Sequence, residues 1–498
     1  MNALPTFPWL TLITLLPLAG ALPCLLLRKS ARDCRGVALA TSVAVLGLTL
    51  WLGWEHCSGS GWYVIEDAAW IEHFGIRWTL GLDGLALTLI VLTALLSCGA
   101  HLLAWRITER VPFFLALLLI MESGFLGVFL ALDLVLFYIC WEVMLVPLFF
   151  LVGIWGREGR GRAALKAFLV TLCGSLLMLV GIIALYLLHG AQTGTYTFAL
   201  RELLQHPLTG PAQYWVCGTF LAAFLIKAPL VPLHSWLIDA HTAAPVCGAV
   251  DLAGLLLKTG IYGLLRFGFP LFPDATRLWL PWLMIPALFG LFHAAWVAYR
   301  QTDLKRLAAY SSVSHLGLVV LGLAVWNATA LEGAILLMLI HGVSAAALFA
   351  ASGMIAARAG TTQLNELGGV WGRAPFLGGL FLLFGMASAG VPGLGNFVGE
   401  ILILFGTFSA HPLIAAVAAT TMVTTAVYMT GLLKAVLWGP PADDAVWADL
   451  TWREGWVLVP LALLIVWVGV YPEPFLAPLR EPVQFLLTTV GTLSGGAP

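Results

Sequence analysis

Cutting this sequence at its charges, glycines and prolines leaves fourteen apolar stretches, each about as long as or longer than the roughly 20 residues a helix needs to cross a bilayer. They are expected at about 8–27, 36–54, 83–105, 112–131, 133–155, 164–189, 214–241, 245–269, 279–299, 304–325, 329–357, 375–409, 411–438 and 455–472. No soluble core absorbs such a pattern: the chain is 61% hydrophobic and 10% charged, against about 25% charged in soluble domains. Inside lipid every backbone polar group has to be satisfied within the chain, so the expected class is an all-α polytopic membrane protein. The segment 55–82, rich in Gly, Trp and acid, is the longest early loop and is expected at the membrane interface. The tail after Pro472 is proline-broken and weakly apolar.

The distribution of Lys and Arg tests this partition. Seventeen fall on one set of alternate loops and five on the other, and Lys227 and Lys258 inside the membrane complete the 24. That bias predicts both termini on the side away from the cytoplasm, and therefore an even number of spans. The first stretch, Trp9 to Leu27, lacks a basic n-region and is followed by more spans, so it is expected as a retained helix. The eight cysteines are scattered without CxxC spacing, which argues against zinc, an iron–sulfur cluster or a disulfide framework. A net charge of −1 leaves no basic surface for nucleic acid. There is no Walker A lysine, no GxGxxG opening a helix after a strand and no nucleophile elbow.

Two stretches are long and interrupted. The seventh, FLIKAPLVPLHSWLIDAHTAAPV, holds Pro229 and Pro232; the twelfth reads AGVPGLGNFVGE. They lie five spans apart, and an odd repeat of five must place its second copy upside down. Interrupted helices at matching positions in two halves point to an inverted-repeat transporter.

Ionisable groups at membrane depth are functional candidates, because each is costly to insert. They are Glu122, Glu142, Lys227, Asp251, Lys258, His315, His341 and Glu400, with His234 and His241 nearer an end. Glu142 is mid-span, either a structural carboxyl or an anion that holds a nearby lysine protonated. Lys227 precedes Pro229, where carbonyls freed from the helix need protein or water as partners. Asp251 and Lys258 are seven apart, two helical turns, which suits a water-linked relay on one face or a static ion network. His315 and His341 have serine neighbours. Glu400 occupies in the second half the place that Lys227 holds in the first. Glu122 either faces a neighbouring subunit or tunes the pair.

WEVMLVPLFFLVGIWG, IKAPLVPLHSWLIDAHTAAPV, DLAGLLLKTGIYGLLRF, QTDLKRLAAYSSVSHLG, HGVSAAALF and GVPGLGNFVGE together resemble the M-type (chain 4) antiporter-like membrane subunits of bacterial respiratory complex I, the proton-translocating NADH–quinone oxidoreductase. The resemblance runs in order over roughly residues 80 to 440. It implies a fourteen-helix fold with inverted repeats of helices 4–8 and 9–13 and broken helices 7 and 12. The implied divisions are 1–111, three N-terminal helices with an interfacial loop; 112–270, the first repeat; 271–440, the second; and 441–498, a loop, a last helix and a short tail.

The resemblance also implies roles. Glu142 and Lys227 look like the family's charge pair, Lys258 like the central relay lysine, His315 and His341 like the axis histidines, and Glu400 like the terminal group. A glutamate at 400, where related L-type and N-type subunits carry lysine, and the missing long lateral helix favour the M-type. Asp251 is found in only some relatives, and His234 is a candidate relay member; His241 is as readily structural. The implied activity is NADH:quinone oxidoreduction coupled to proton translocation, with this chain supplying no redox site. FMN, iron–sulfur clusters and quinone are expected in partner subunits, L-type and N-type subunits as neighbours, and the bacterial inner membrane as the location. The rivals are a subunit of an Mrp-type sodium/proton antiporter or of a membrane-bound hydrogenase, and a purely structural subunit whose polar axis is dormant.

Overall fold

The computed structural model describes residues 7–26, 30–56, 61–441 and 446–491. Helices α1 (Trp9–Leu26) and α2 (Ala31–His56) lead to a hairpin, β1 (Val64–Ile71) and β2 (Ile76–Leu82). Then come α3 (Gly84–Arg106), α4 (Val111–Leu130), α5 (Leu134–Trp155) and α6 (Arg160–Thr193). The seventh stretch is split into α7 (Ala212–Lys227) and α8 (Ser235–Ala243), followed by α9 (Val246–Gly268), α10 (Pro273–Tyr299), α11 (Leu304–Val325) and α12 (Ala328–Ala359). The twelfth is split into α13 (Pro375–Ser388) and α14 (Gly395–Ala410), before α15 (Pro412–Trp438), α16 (Trp452–Val470) and α17 (Glu473–Val490). Among the described residues twelve helices are by themselves long and apolar enough to cross a membrane, and the four half-helices are not among them. Helices α9 and α12 are buried along their whole apolar length, whereas α1, α2, α6 and α15 expose most of theirs. The centre of the bundle is therefore α9 and α12.

Three sequence expectations need correction. The interfacial segment expected as a loop contains an antiparallel hairpin in register from Val64↔Leu82 to Ile71↔Ile76, a small sheet within the helical membrane fold. Its Glu66 carboxylate accepts from the backbone N–H of Leu10 (2.6 Å) and Thr11 (2.9 Å), satisfying donors that the first turn of α1 leaves open. The proline-broken tail is helical as α17, which buries Leu479, Val483, Leu486 and Val490. Gly84 makes room for it, since a Cβ there would run into the Pro478 carbonyl. Finally, Arg266 and Lys305, counted as loop charges, are 7% and 1% exposed and belong to the interior.

Both breaks follow from local chemistry. Pro229 and Pro232 supply no N–H, and the chain recovers by a longer bond from Leu230 N to Leu225 O, 3.1 Å. The Trp236 indole donates to the Ile226 carbonyl at 3.0 Å, so one acceptor next to Lys227 is satisfied by protein. In the second break Gly390 and Gly393 adopt φ of 71° and 88°, a region that favours glycine. Helix α14 then packs closely on α12: a Cβ on Gly399 would lie 2.7 Å from Leu337 Cβ. Small residues permit this backbone approach between apolar helices.

Candidate functional site

Four of the singled-out groups form a file through the bundle centre. Lys258 Nζ donates to the Ala253 carbonyl and lies 3.3 Å from His341 Nδ1. The His341 and His315 rings are 5.2 Å apart between centroids and 29° from parallel. His315 Nε2 is 3.3 Å from Glu400 Oε1. All four side chains are buried, and they come from α9, α12, α11 and α14. The stacked rings make no hydrogen bond to each other, so the geometry offers no direct proton path between them without ring rotation or a bridging water.

The backbone of α9 is unusual where it carries Lys258. It is π-helical over Leu252–Leu256 and again over Leu264–Gly268. Such wide turns recur at functional sites. Here the first one bears on the Asp251–Lys258 expectation. The two-turn spacing assumes α geometry, and the π turn between them shifts the angular register. Asp251 is buried with Oδ1 lacking a hydrogen-bond partner, while Lys258 turns to Ala253 and His341.

At the other end, Lys227 is 1% exposed and its ammonium has no hydrogen-bond partner. Its nitrogen lies 4.8 Å from the centre of the Trp141 ring, a cation–π contact, rather than in an ion pair with Glu142. Glu142 is half-buried beside Trp141, with Oε1 also unpartnered. The expected charge pair is thus brought to one locality without direct contact.

The remaining candidates divide. His241, expected nearer an end and as readily structural, is fully buried and stacked on Phe349 at 4.5 Å, with neither ring nitrogen hydrogen-bonded. His234 lies in that break, half-buried, 5.7 Å from the His293 ring and 6.1 Å from the Tyr310 ring. Glu122 is buried and accepts from Ser42 Oγ at 2.6 Å, and the same hydroxyl is 3.2 Å from His101 Nδ1.

His101, Ser42, His293, Tyr428 and Lys305 escaped the sequence reading. Tyr428, from α15, donates to Ser311 Oγ at 3.1 Å, and the Ser311 carbonyl is 2.8 Å from His315 Nδ1. Lys305 donates to the Ala244 carbonyl at the end of α8, at 2.9 Å. Among the described residues no group of three His, Cys, Asp or Glu side chains is arranged to hold a metal.

Residues 131–426 match a family model described as NADH:quinone oxidoreductase/Mrp antiporter, TM. A relative from Pseudomonas aeruginosa, named NADH-quinone oxidoreductase subunit M, is 40% identical over 508 aligned positions, covering 98% of this chain and 99% of the relative. Among solved structures, a chain of respiratory complex I from Thermus thermophilus with bound NADH superposes with TM-score 0.89 at 32% identity, over 97% of this chain and 100% of that one. A chain of the Mrp complex from a Dietzia species has TM-score 0.83 at 21% identity over 97% and 100%, a likeness of fold alone.

Proposed function

Because the chain belongs to the NADH:quinone oxidoreductase/Mrp antiporter membrane family, we propose that it is the M-type proton-translocating subunit of a respiratory NADH–quinone oxidoreductase. The observation that carries this reading is the buried file Lys258, His341, His315, Glu400, every member of which can hold or pass a proton. Relatives that cover nearly the whole chain and are named for that enzyme support it.

In this reading α7 with α8, and α13 with α14, each make one crossing, giving fourteen, and α4–α9 and α10–α15 are the two inverted repeats. Both termini face the periplasm across the bacterial inner membrane. L-type and N-type subunits are the neighbours, and FMN, iron–sulfur clusters and quinone reside in partner subunits.

The chain's own work is proton handling. Burial disfavours the Lys227 ammonium, and a carboxylate close by favours it. When Glu142 approaches, Lys227 loads a proton through the water-accessible break at Pro229 and Pro232. When redox chemistry elsewhere draws Glu142 away, the lysine gives the proton up towards Lys258. It then travels by His341 and His315 to Glu400 and out, with Asp251, His234, His241 and Glu122 as side branches or tuning charges.

The decisive experiment is Lys227→Ala in the native assembly, reconstituted in vesicles. The complex is expected to assemble, with proton pumping abolished; normal pumping would sink the mechanism. The identity of the assembly has its own readout. Flavin and iron–sulfur clusters should co-purify with this chain, whereas an antiporter would arrive without redox groups and a hydrogenase with nickel.

A further inference from the structure

A cavity of about 310 Å³ opens between the last turn of α3 and the first turn of α16, far from the buried file. Its walls include Leu102, Leu103, Trp105, Arg106, Trp452 and Arg453. The Arg453 guanidinium lies 5.2 Å from the Trp105 ring and 5.3 Å from the Trp452 ring, held by two indoles. No hydrogen bond or ion pair engages Arg453 among the described residues. Arg35 approaches the same Trp105 ring at 5.9 Å.

The carboxylates nearby are already committed. Glu454 accepts from Arg106 at 2.5 Å and Arg358 at 2.8 Å and closes a capping box with Thr451. Asp449 accepts from the N–H groups of Phe376 (3.0 Å), Leu377 (3.1 Å) and Leu450 (2.7 Å). Arg106 and Arg358 share the Glu454 carboxylate, and Asp449 is the second acid nearby, so Arg453 remains as one positive charge in excess at the mouth.

We propose that this cavity binds the phosphate of an anionic membrane phospholipid headgroup, with Arg453 as its principal ligand. An arginine fork matches phosphate oxygens in geometry as well as charge. Contact with two indoles restrains the guanidinium before the ligand arrives, which lowers the ordering cost of binding. The lipid source, over free phosphate, follows from position. The cavity sits at the ends of two membrane-crossing helices, on the arginine-rich side, where tryptophans form the interfacial belt. Basic pockets between such helices on the cytoplasmic side are where acidic headgroups dock. Leu102 and Leu103 continue the wall towards the apolar interior, as an acyl chain requires.

The test uses the intact assembly purified through a tag on this chain, exposed to a phosphatidylglycerol probe with a photoreactive group near its headgroup. Labelling is expected on peptides containing 102–106 and 451–454. It should be competed by phosphatidylglycerol and not by phosphatidylcholine or inorganic phosphate. Arg453→Gln should weaken the competition about five-fold, and Arg453→Lys should restore part of it. Trp105→Phe, which keeps an aromatic face, serves as a second variant if Arg453→Gln fails to incorporate. Displacement by inorganic phosphate would convert the site to a free-anion site and overturn the proposal. So would equal labelling by a phosphatidylcholine probe, or no labelling because a partner subunit covers the cavity.

Discussion

His315 Nε2 lies 3.3 Å from Glu400 Oε1 while its other ring nitrogen, Nδ1, lies 2.8 Å from the Ser311 carbonyl. A carbonyl only accepts, so Nδ1 carries a hydrogen and Nε2 is the nitrogen that faces Glu400. The Nε2–Oε1 gap then needs a proton of its own, held as imidazolium with carboxylate or as imidazole with carboxylic acid. The two residues are therefore placed to share one proton.

That coupling gives the first prediction. Glu400→Gln and His315→Gln each remove the shared proton, and each is expected to reduce pumping by at least about ten-fold while the assembly persists. The double variant should be no worse than either single, since partners in one network are strongly non-additive. Proton uptake by vesicles during turnover reads this directly. Multiplying effects in the double variant would mean that the residues work independently.

Much of this site was legible in the sequence, because a charge or histidine inside an apolar run stands out. Lys258, His341, His315 and Glu400 were all found that way. Packing, by contrast, leaves little local trace. Lys305 in QTDLKRL reads as one of a cluster of loop charges, and only the end of α8 above it, with the Ala244 carbonyl, shows it to be interior. Tyr428 looks like any span tyrosine until α15 brings it to Ser311. His101 sits near the end of a span beside Arg106, and its only local hint is Ser97, whose carbonyl is 2.8 Å from Nδ1. The two-turn spacing of Asp251 and Lys258 presumes regular α geometry, and nothing in DLAGLLLK announces the π turn that lies between them. The hairpin was hidden because VIEDAAWI does not alternate cleanly.

Gly390 supplies the second prediction. It has φ of 71°, and a Cβ there would collide with the Glu400 carboxylate. Gly390→Ala therefore strains the backbone by about 1–2 kcal/mol and also pushes the carboxylate away from His315. The assembly should melt at lower temperature and pump less, with both effects in one variant. A lowered melting temperature with pumping intact would show that Glu400 keeps its place despite the added methyl.

Arg266 and Asp83 form a buried ion pair, with Arg266 Nη2 donating to both carboxylate oxygens at 2.7 and 2.8 Å. Asp83 also caps α3 by accepting from Ala86 N at 2.8 Å, and Arg266 donates to Tyr262 Oη at 3.0 Å. Removing one member strands the other charge, which typically costs about 3–5 kcal/mol. Arg266→Ala is expected to lower the yield and thermal stability of the assembly sharply. Because the pair lies outside the file, pumping per assembled complex should be near normal; selective loss of pumping would place Arg266 in the proton path.

The hairpin carries a pH signature of its own. Arg77 Nε and Nη2 donate to Asp67 at 2.7 and 2.8 Å, and this hydrogen bonding holds the Asp67 carboxyl below the ordinary carboxylate range. A carboxyl lowered in the folded state binds protons less readily there than in the unfolded chain. Its stabilisation is thus fully present above the ordinary aspartate range, near pH 4, and disappears as pH falls through the lowered folded value. The pair is partly exposed, so the effect is local and modest. Backbone amides of β1 and β2 should lose hydrogen-exchange protection on acidification below about pH 4, once intrinsic exchange rates are accounted for. In Asp67→Asn that pH-dependent change should vanish, leaving the hairpin uniformly less protected. If the variant kept the same acid-dependent loss, the titrating group would have to be another carboxylate.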